Sequence, residues 1–121
     1  MVGALFDTNI LIDHLNAVPQ AHKELDRFEN RAISIITWME VMVGADAELV
    51  EPTRRFLDGF ETIALNDEIA NRAVTLRRAH RIKLPDAVIW ATAQTAGRLL
   101  VTRNTKDFPA DDPGIREPYA V

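Results

Sequence analysis

The sequence contains no cysteine among its 121 residues. Disulfides, thiolate zinc sites, iron–sulfur clusters and thiol nucleophiles are therefore excluded together. A chain without thiols suits a reducing, cytoplasmic compartment. Glycine is scarce, with 5 residues. None of them forms the Gly-rich run that cradles a nucleotide phosphate, so P-loop and dinucleotide chemistry is excluded. No apolar run approaches the ~20 residues of a membrane span. The apolar opening stops at Asp7 and has no basic start, which excludes a signal peptide. Repeats and low-complexity tracts are also missing. What remains is an ordinary globular composition, 47% hydrophobic and 26% charged. That is enough for one core in a chain of this length, so residues 1–121 are expected to form a single domain.

The net charge of −4 argues weakly against a polyanionic partner. Its distribution argues the other way. Residues 1–60 carry 10 acids and 5 bases, whereas the segment Arg72–Lys106 carries 8 bases and a single acid, Asp86. Arginine outnumbers lysine 11 to 3, and its planar fork matches phosphate geometry. The same segment also reads as a solvated helix face.

Hydrophobic periodicity predicts strands alternating with helices. Strands are expected at Val2–Phe6, Ala32–Ile36, Thr62–Leu65 and Leu99–Val101, with a short edge strand near Ile115. The Asp7-Thr8-Asn9 run offers a helix cap before Ile10, Leu11 and Leu15. Pro19 opens a second helix with Ala21, Leu25 and Phe28 on one face. Helices follow at Thr37–Ala45 (Trp38, Val41, Met42 and Ala45 inward), Leu49–Phe60, and from an Asp67 cap to about Arg81. Phe56, Leu57 and Phe60 read as core. Pro85 opens a helix that is apolar nearly all round from Ala87 to Ala93, hence deeply buried, and Gly97 ends it. Asn104 caps a short turn reaching Phe108. Such alternation implies a parallel α/β sandwich. In open parallel sheets, ligands bind beyond the carboxyl ends of the strands, where the strand order reverses.

Four acids fall at those ends: Asp7 after the first strand, Glu40 a turn beyond the second, Asp86 at the head of the buried helix, and Asp107 after the fourth strand. Each has a plain structural role open to it. Asp7 fits an N-cap, Asp86 a first-turn acid favoured by the helix dipole, Asp107 a partner for Asn104, and Glu40, set among apolar neighbours, an ion-pair partner for an arginine. Together they suggest more. Two carboxylates 4 Å apart repel by about 4 kcal/mol at an effective dielectric of 20, so such a cluster calls for a cation. An all-oxygen set selects a hard ion, Mg²⁺ or Mn²⁺. His14, His22 and His80 lie elsewhere along the chain, which disfavours zinc. A metal of this kind activates water against a phosphodiester, and nearby Arg and Lys side chains would hold a polyanion.

The segments LFDTNILID, SIITWMEVMVG, LPDAVIWATA and LVTRNTKDF, in this order, resemble the four signature segments of PIN-domain ribonucleases, the VapC-type toxins of toxin–antitoxin pairs in particular. The resemblance runs from about Val2 to Phe108. It implies a PIN-like three-layer sandwich with a parallel sheet of about five strands flanked by helices. It implies Mg²⁺- or Mn²⁺-dependent endoribonuclease activity on structured RNA of the tRNA or rRNA class. The catalytic and metal-holding acids then fall on Asp7, Glu40, Asp86 and Asp107, with Thr8, Thr102 and Asn104 in support. Lys83, Arg103 and Lys106 are the candidates for RNA contact, and Arg116 in the tail is a weaker one. The resemblance further implies a homodimer, a cognate VapB-type antitoxin, and operator DNA bound only through that antitoxin. No membrane partner is implied.

Three other readings compete. A phosphoacceptor receiver domain needs adjacent acids after its first strand, and Thr8 follows Asp7 instead. Its acceptor should end an apolar strand, whereas Asp58 ends a helix. A PIN fold that binds RNA or a partner without cutting would have no use for four mutually repelling acids. A PIN nuclease of RNA processing, or one acting on DNA, has the same four acids and differs in its substrate.

Overall fold

Side-chain alternation along very short strands sets the layers of the protein. In the first strand, β1 (Ala4–Phe6), all three residues are fully buried. Leu5 packs into one core cluster, while Ala4 and Phe6 pack into the other. This is the two-residue period of a strand covered on both faces. The computed structural model describes residues 3–120. Val2, with which the expected first strand began, lies outside them.

Four further strands, β2 (Arg31–Ser34), β3 (Glu61–Ile63), β4 (Leu99–Val101) and β5 (Ile115–Arg116), complete an all-parallel sheet in the order β3-β2-β1-β4-β5. Helices α1 (Thr8–Leu15), α2 (Pro19–Arg27), α3 (Ile35–Val43) and α4 (Val50–Leu57) contribute Ile10, Leu11, Leu25, Val41 and Leu57 to the face that holds Phe6. Helices α5 (Asp67–His80) and α6 (Leu84–Thr95) cover the Leu5 face. The expected α/β sandwich with a parallel sheet of five strands is therefore what the chain forms. In α6 every residue from Ala87 to Ala93 is buried, as its unbroken apolar run predicts. Gly97 ends that helix region with φ +64, a conformation glycine takes without a Cβ clash.

Several boundaries differ from the sequence expectation. The second strand stops at Ser34 rather than Ile36, because the Ser34 hydroxyl accepts the Ile36 N–H at 3.0 Å and caps α3. A capping hydroxyl thus overrides the β-propensity of Ile35 and Ile36. Helix α3 accordingly starts two residues before Thr37 and ends at Val43 rather than Ala45. Asn66, not Asp67, caps α5, accepting the Ile69 N–H at 2.9 Å. The expected helix over residues 49–60 contracts to α4, preceded by a 3₁₀ turn at Ala47–Leu49, and β3 begins at Glu61 instead of Thr62.

The strand order brings distant parts of the chain together. The chain moves outward from β1 to β3, crosses back over the sheet through α5 and α6, and lays β4 against the free side of β1, with Phe6 opposite Val101. The direction of travel reverses between β1 and β4. Asp7 and Thr102 therefore emerge side by side at the carboxyl end of the sheet. Among the described residues, no helix is long and apolar enough to cross a membrane.

Candidate active site

Asp7 leaves β1 and caps α1, and it is only 4% exposed. Its Oδ1 accepts the Thr8 N–H at 2.8 Å, and its Oδ2 accepts the Thr102 hydroxyl at 2.8 Å and the Asn9 Nδ2 at 3.1 Å. Burial nevertheless dominates its electrostatics. Desolvation, with help from the charges of Asp86 and Glu40, pushes its pKa up to about 6 against the pull of those hydrogen bonds. Asp86, in the first turn of α6 and half-buried, is also raised. Desolvation is the main cause, followed by the charges of Asp107 and Glu40, with Lys83 opposing.

Thr102 is fully buried at the end of β4 and acts as a hub. It donates to Asp7, accepts the Asn104 N–H at 2.9 Å, and accepts from Asn9 Nδ2 at 3.3 Å. Asn104 and Asp107 pair reciprocally: Asn104 Nδ2 donates to Asp107 Oδ2 at 3.0 Å, and Asn104 Oδ1 accepts the Asp107 N–H at 3.2 Å. The turn after β4 is thus built on side-chain bonds that start at Thr102 and end on the fourth acid.

Glu40 departs from expectation. Its apolar sequence neighbours suggested burial and an arginine partner, but it is exposed, and its partner is the Thr8 hydroxyl, which donates to Oε1 at 2.6 Å. Thr8 in turn lies 3.1 Å from the hydroxyl of fully buried Thr37. Met39 and Val43 on α3 are also exposed, so the apolar residues around Glu40 occupy more than one side of the helix.

Among the described residues, none of Asp7, Glu40, Asp86 and Asp107 has a basic side chain within ion-pair distance. The acids that do have one, Asp13 and Glu24 among them, lie outside the quartet. Among the same residues, no group of three or more His, Cys, Asp or Glu side chains is gathered tightly enough to hold a metal by itself. The four carboxylates are linked through the charges of Asp86 and Glu40 on Asp7 and of Asp107 and Glu40 on Asp86, but not ion-paired or closed into a cage. An oxygen-only, under-neutralised set of this kind fits a hard divalent ion that keeps part of its water shell.

The basic candidates separate. Lys83 and Lys106 are exposed, and among the described residues no hydrogen bond or ion pair holds either side chain. Arg103 is committed elsewhere: its Nε and Nη2 bond to the two oxygens of Asp13 at 2.5 and 3.0 Å, and the Tyr119 hydroxyl donates to the same carboxylate at 2.8 Å. Burial and the Asp13 carboxylate push the Tyr119 pKa upward. Arg116 pairs with nearly buried Glu24. Two site residues escaped the sequence reading, Asn9 and Thr37. Asn9 joins the Asp7 carboxylate, the Thr102 hydroxyl and the Arg103 N–H, which it accepts at 3.2 Å. It stands two residues after Asp7, in the first turn of α1.

The family model of the PIN domain matches residues 4–110. A solved structure described as a toxin–antitoxin complex from Klebsiella pneumoniae is 49% identical, covering 98% of this chain and 100% of that chain, with a TM-score of 0.94. FitAcB from Neisseria gonorrhoeae is 22% identical over 98% of this chain and 99% of that chain, with a TM-score of 0.81. DNA-bound VapBC from Salmonella typhimurium is 24% identical over 96% of each chain, with a TM-score of 0.76. The last two carry likeness of fold. No curated protein matches the chain.

Proposed function

Because the chain belongs to the PIN-domain family, we propose that it is a VapC-type toxin, a Mg²⁺- or Mn²⁺-dependent endoribonuclease that cuts structured RNA of the tRNA or rRNA class. The observation that carries this reading is the set of four acids, linked through their charges and with no ion-pair partner among the described residues, at the point where the sheet order reverses. A scaffold gains nothing from burying Asp7 beside other negative charges, whereas a site built to receive a cation does.

Asp7, Asp86 and Asp107 would hold the ion, directly or through water, and Glu40 would hold it too or position the attacking water. The ion, when bound, lowers the pKa of water and offsets charge on the phosphoryl group. Thr102 and Asn9 keep the Asp7 carboxylate in one orientation, Asn104 does the same for Asp107, and Thr8 steadies Glu40. Water adds to phosphorus while the bond from phosphorus to the ribose 3′ oxygen breaks. The products are a 5′-phosphate and a 3′-hydroxyl. The ribose 2′-hydroxyl takes no part.

The toxin reading also brings partners: a small cognate antitoxin of the VapB type, operator DNA reached through that antitoxin, and a second copy of the chain as a homodimer. Support comes from the likeness to the Klebsiella pneumoniae chain, whose structure is described as a toxin–antitoxin complex.

The test is an RNA-end map after brief induction in cells lacking any antitoxin, with Asp7→Asn and Asp86→Asn as controls. Discrete new 5′-phosphate ends from the natural chain, absent from both controls, are expected. Ends bearing a 2′,3′-cyclic phosphate would overturn the reading, and so would equal cleavage by the controls.

A further inference from the structure

The cations of this chain sort into two groups. Five arginines are spent on acids: Arg27, Arg54, Arg98, Arg103 and Arg116. Arg72 bonds to Gln94, Arg77 clamps the Ile82 carbonyl, and Arg31 lies over the Phe60 ring at 5.4 Å. The described residues hold no such partner for the remaining six: Lys23, Arg55, Arg78, Arg81, Lys83 and Lys106. These six are not scattered evenly. Arg78, Arg81 and Lys83 occupy the end of α5 and the loop that leads into Asp86, and Lys106 immediately precedes Asp107.

We propose that Arg78, Arg81 and Lys83 form a preformed phosphate-binding rim on one side of the acidic site, with Lys106 facing it from the other, and that this rim holds the sugar–phosphate backbone of the RNA substrate. The proposal rests on the endoribonuclease reading and deepens it, adding Arg78 and Arg81 to the substrate contacts and removing Arg103 from them.

Four observations support the rim. All four side chains are exposed. The helix end and loop that carry three of them are held in place: Ile82 is 4% exposed in the core, Arg77 closes the loop on the Ile82 carbonyl, and His80 lies 4.8 Å from the Trp90 ring of α6. Arg81 sits at φ +56, a left-handed position at a helix C-terminus where glycine is the usual residue. An arginine there sets a charge in the loop before α6 against its own backbone preference. Lys83 is the N-cap residue of α6, whose first turn carries Asp86, so the rim runs directly into the acidic site. The dipole of α5 favours bases in its last turn, but it does not account for Lys83 or Lys106, which lie outside that helix. A row of cations on a held backbone reads backbone shape rather than base sequence, which suits a folded RNA.

The experiment measures binding of a fluorescein-labelled RNA stem–loop across a KCl series, in EDTA so that no strand is cut. The variant is Arg78→Ala/Arg81→Gly/Lys83→Ala. Each change suits its backbone: alanine in an exposed helix turn, glycine at a positive φ, and alanine at a cap position whose side chain caps nothing. The control is Lys23→Ala/Arg55→Ala, which removes two equally unpartnered cations elsewhere. The variant is expected to bind more weakly, with the slope of log K against log salt reduced by about 2, at ~0.7 for each phosphate no longer neutralised. The control should match the natural chain. In Mg²⁺ or Mn²⁺ turnover, the variant should raise KM and leave kcat near its natural value. An unchanged slope in the variant, an equal loss in the control, or a fall in kcat alone overturns the rim while the nuclease reading stands. A natural chain that neither binds nor cuts RNA overturns both.

Discussion

The Thr102 hydroxyl donates to Asp7 Oδ2 at 2.8 Å across 95 residues of chain. It is fully buried, and it ties the end of β4 to the end of β1 at the reversal of the sheet. The same oxygen accepts the Asn104 N–H, so one hydroxyl links two acids of the site, Asp7 directly and Asp107 through Asn104.

Thr102→Val keeps the shape and removes that link. Asp7 loses a donor, and the Asn104 N–H loses its acceptor. Leaving such groups unsatisfied costs about 2 kcal/mol. Urea denaturation near neutral pH should show a destabilisation of that order, and RNA cleavage should fall with it. A midpoint equal to that of the natural chain would falsify the hub role.

The Asp7 carboxyl gives the metal-free protein a pH-dependent stability of definite sign. Its folded pKa, about 6, lies above the 3.8 of an unperturbed aspartate. A carboxyl raised in this way favours the fold when protonated, so its contribution is complete below the unfolded pKa and is lost as pH rises through the folded one. The interval between the two is worth roughly 3 kcal/mol. In EDTA, the urea midpoint should therefore fall between about pH 4 and pH 6, once the other titrating groups are accounted for by an Asp7→Asn comparison. Adding Mn²⁺ at a pH above that interval should restore stability. A midpoint with the same pH dependence in both chains would contradict the assignment.

Asn9 should matter to chemistry more than to folding. Asn9→Ala frees Asp7 Oδ2 from one donor and leaves the Arg103 N–H without its acceptor. Cleavage should drop by about 10- to 100-fold, the range typical of groups that orient metal ligands, with a stability loss of about 1 kcal/mol. Asn9→Asp should be worse on both counts, because it sets a second carboxylate against Asp7. Initial rates and thermal midpoints for the two variants check the order.

The tail contributes through Asp13. Tyr119→Phe deletes one hydrogen bond to a 7% exposed carboxylate and should cost about 1 kcal/mol. Asp13→Ala strips both Arg103 and Tyr119 of their acceptor and should cost about twice as much. If the two act through one carboxylate, the double variant adds nothing to Asp13→Ala. Additive midpoints would show that Tyr119 acts elsewhere.

Much of the fold was legible because the signals are local. Ala87 to Ala93 reads as buried from its own composition, and the β1 and β4 triplets read as strands without any partner in view. The acids Asp7, Asp86 and Asp107 were legible from their places just after strands or at a helix head. Ile35 and Ile36 were misplaced because their β-propensity is real and is overridden by one capping hydroxyl on Ser34. Glu40 sits among apolar neighbours along the chain, yet α3 leaves it exposed together with Met39 and Val43.

By itself the sequence determined the alternation of elements, the two covered faces of the sheet and the identity of the acids, since each follows from side-chain period and residue type over a few neighbours. Only the tertiary structure decided which cations are free. Arg103 meets Asp13 across 90 residues and Arg116 meets Glu24 across 92. Those partners exist because β4 is laid beside β1 and β5 beside β4, and a single chain read in order carries no record of which strand lies next to which.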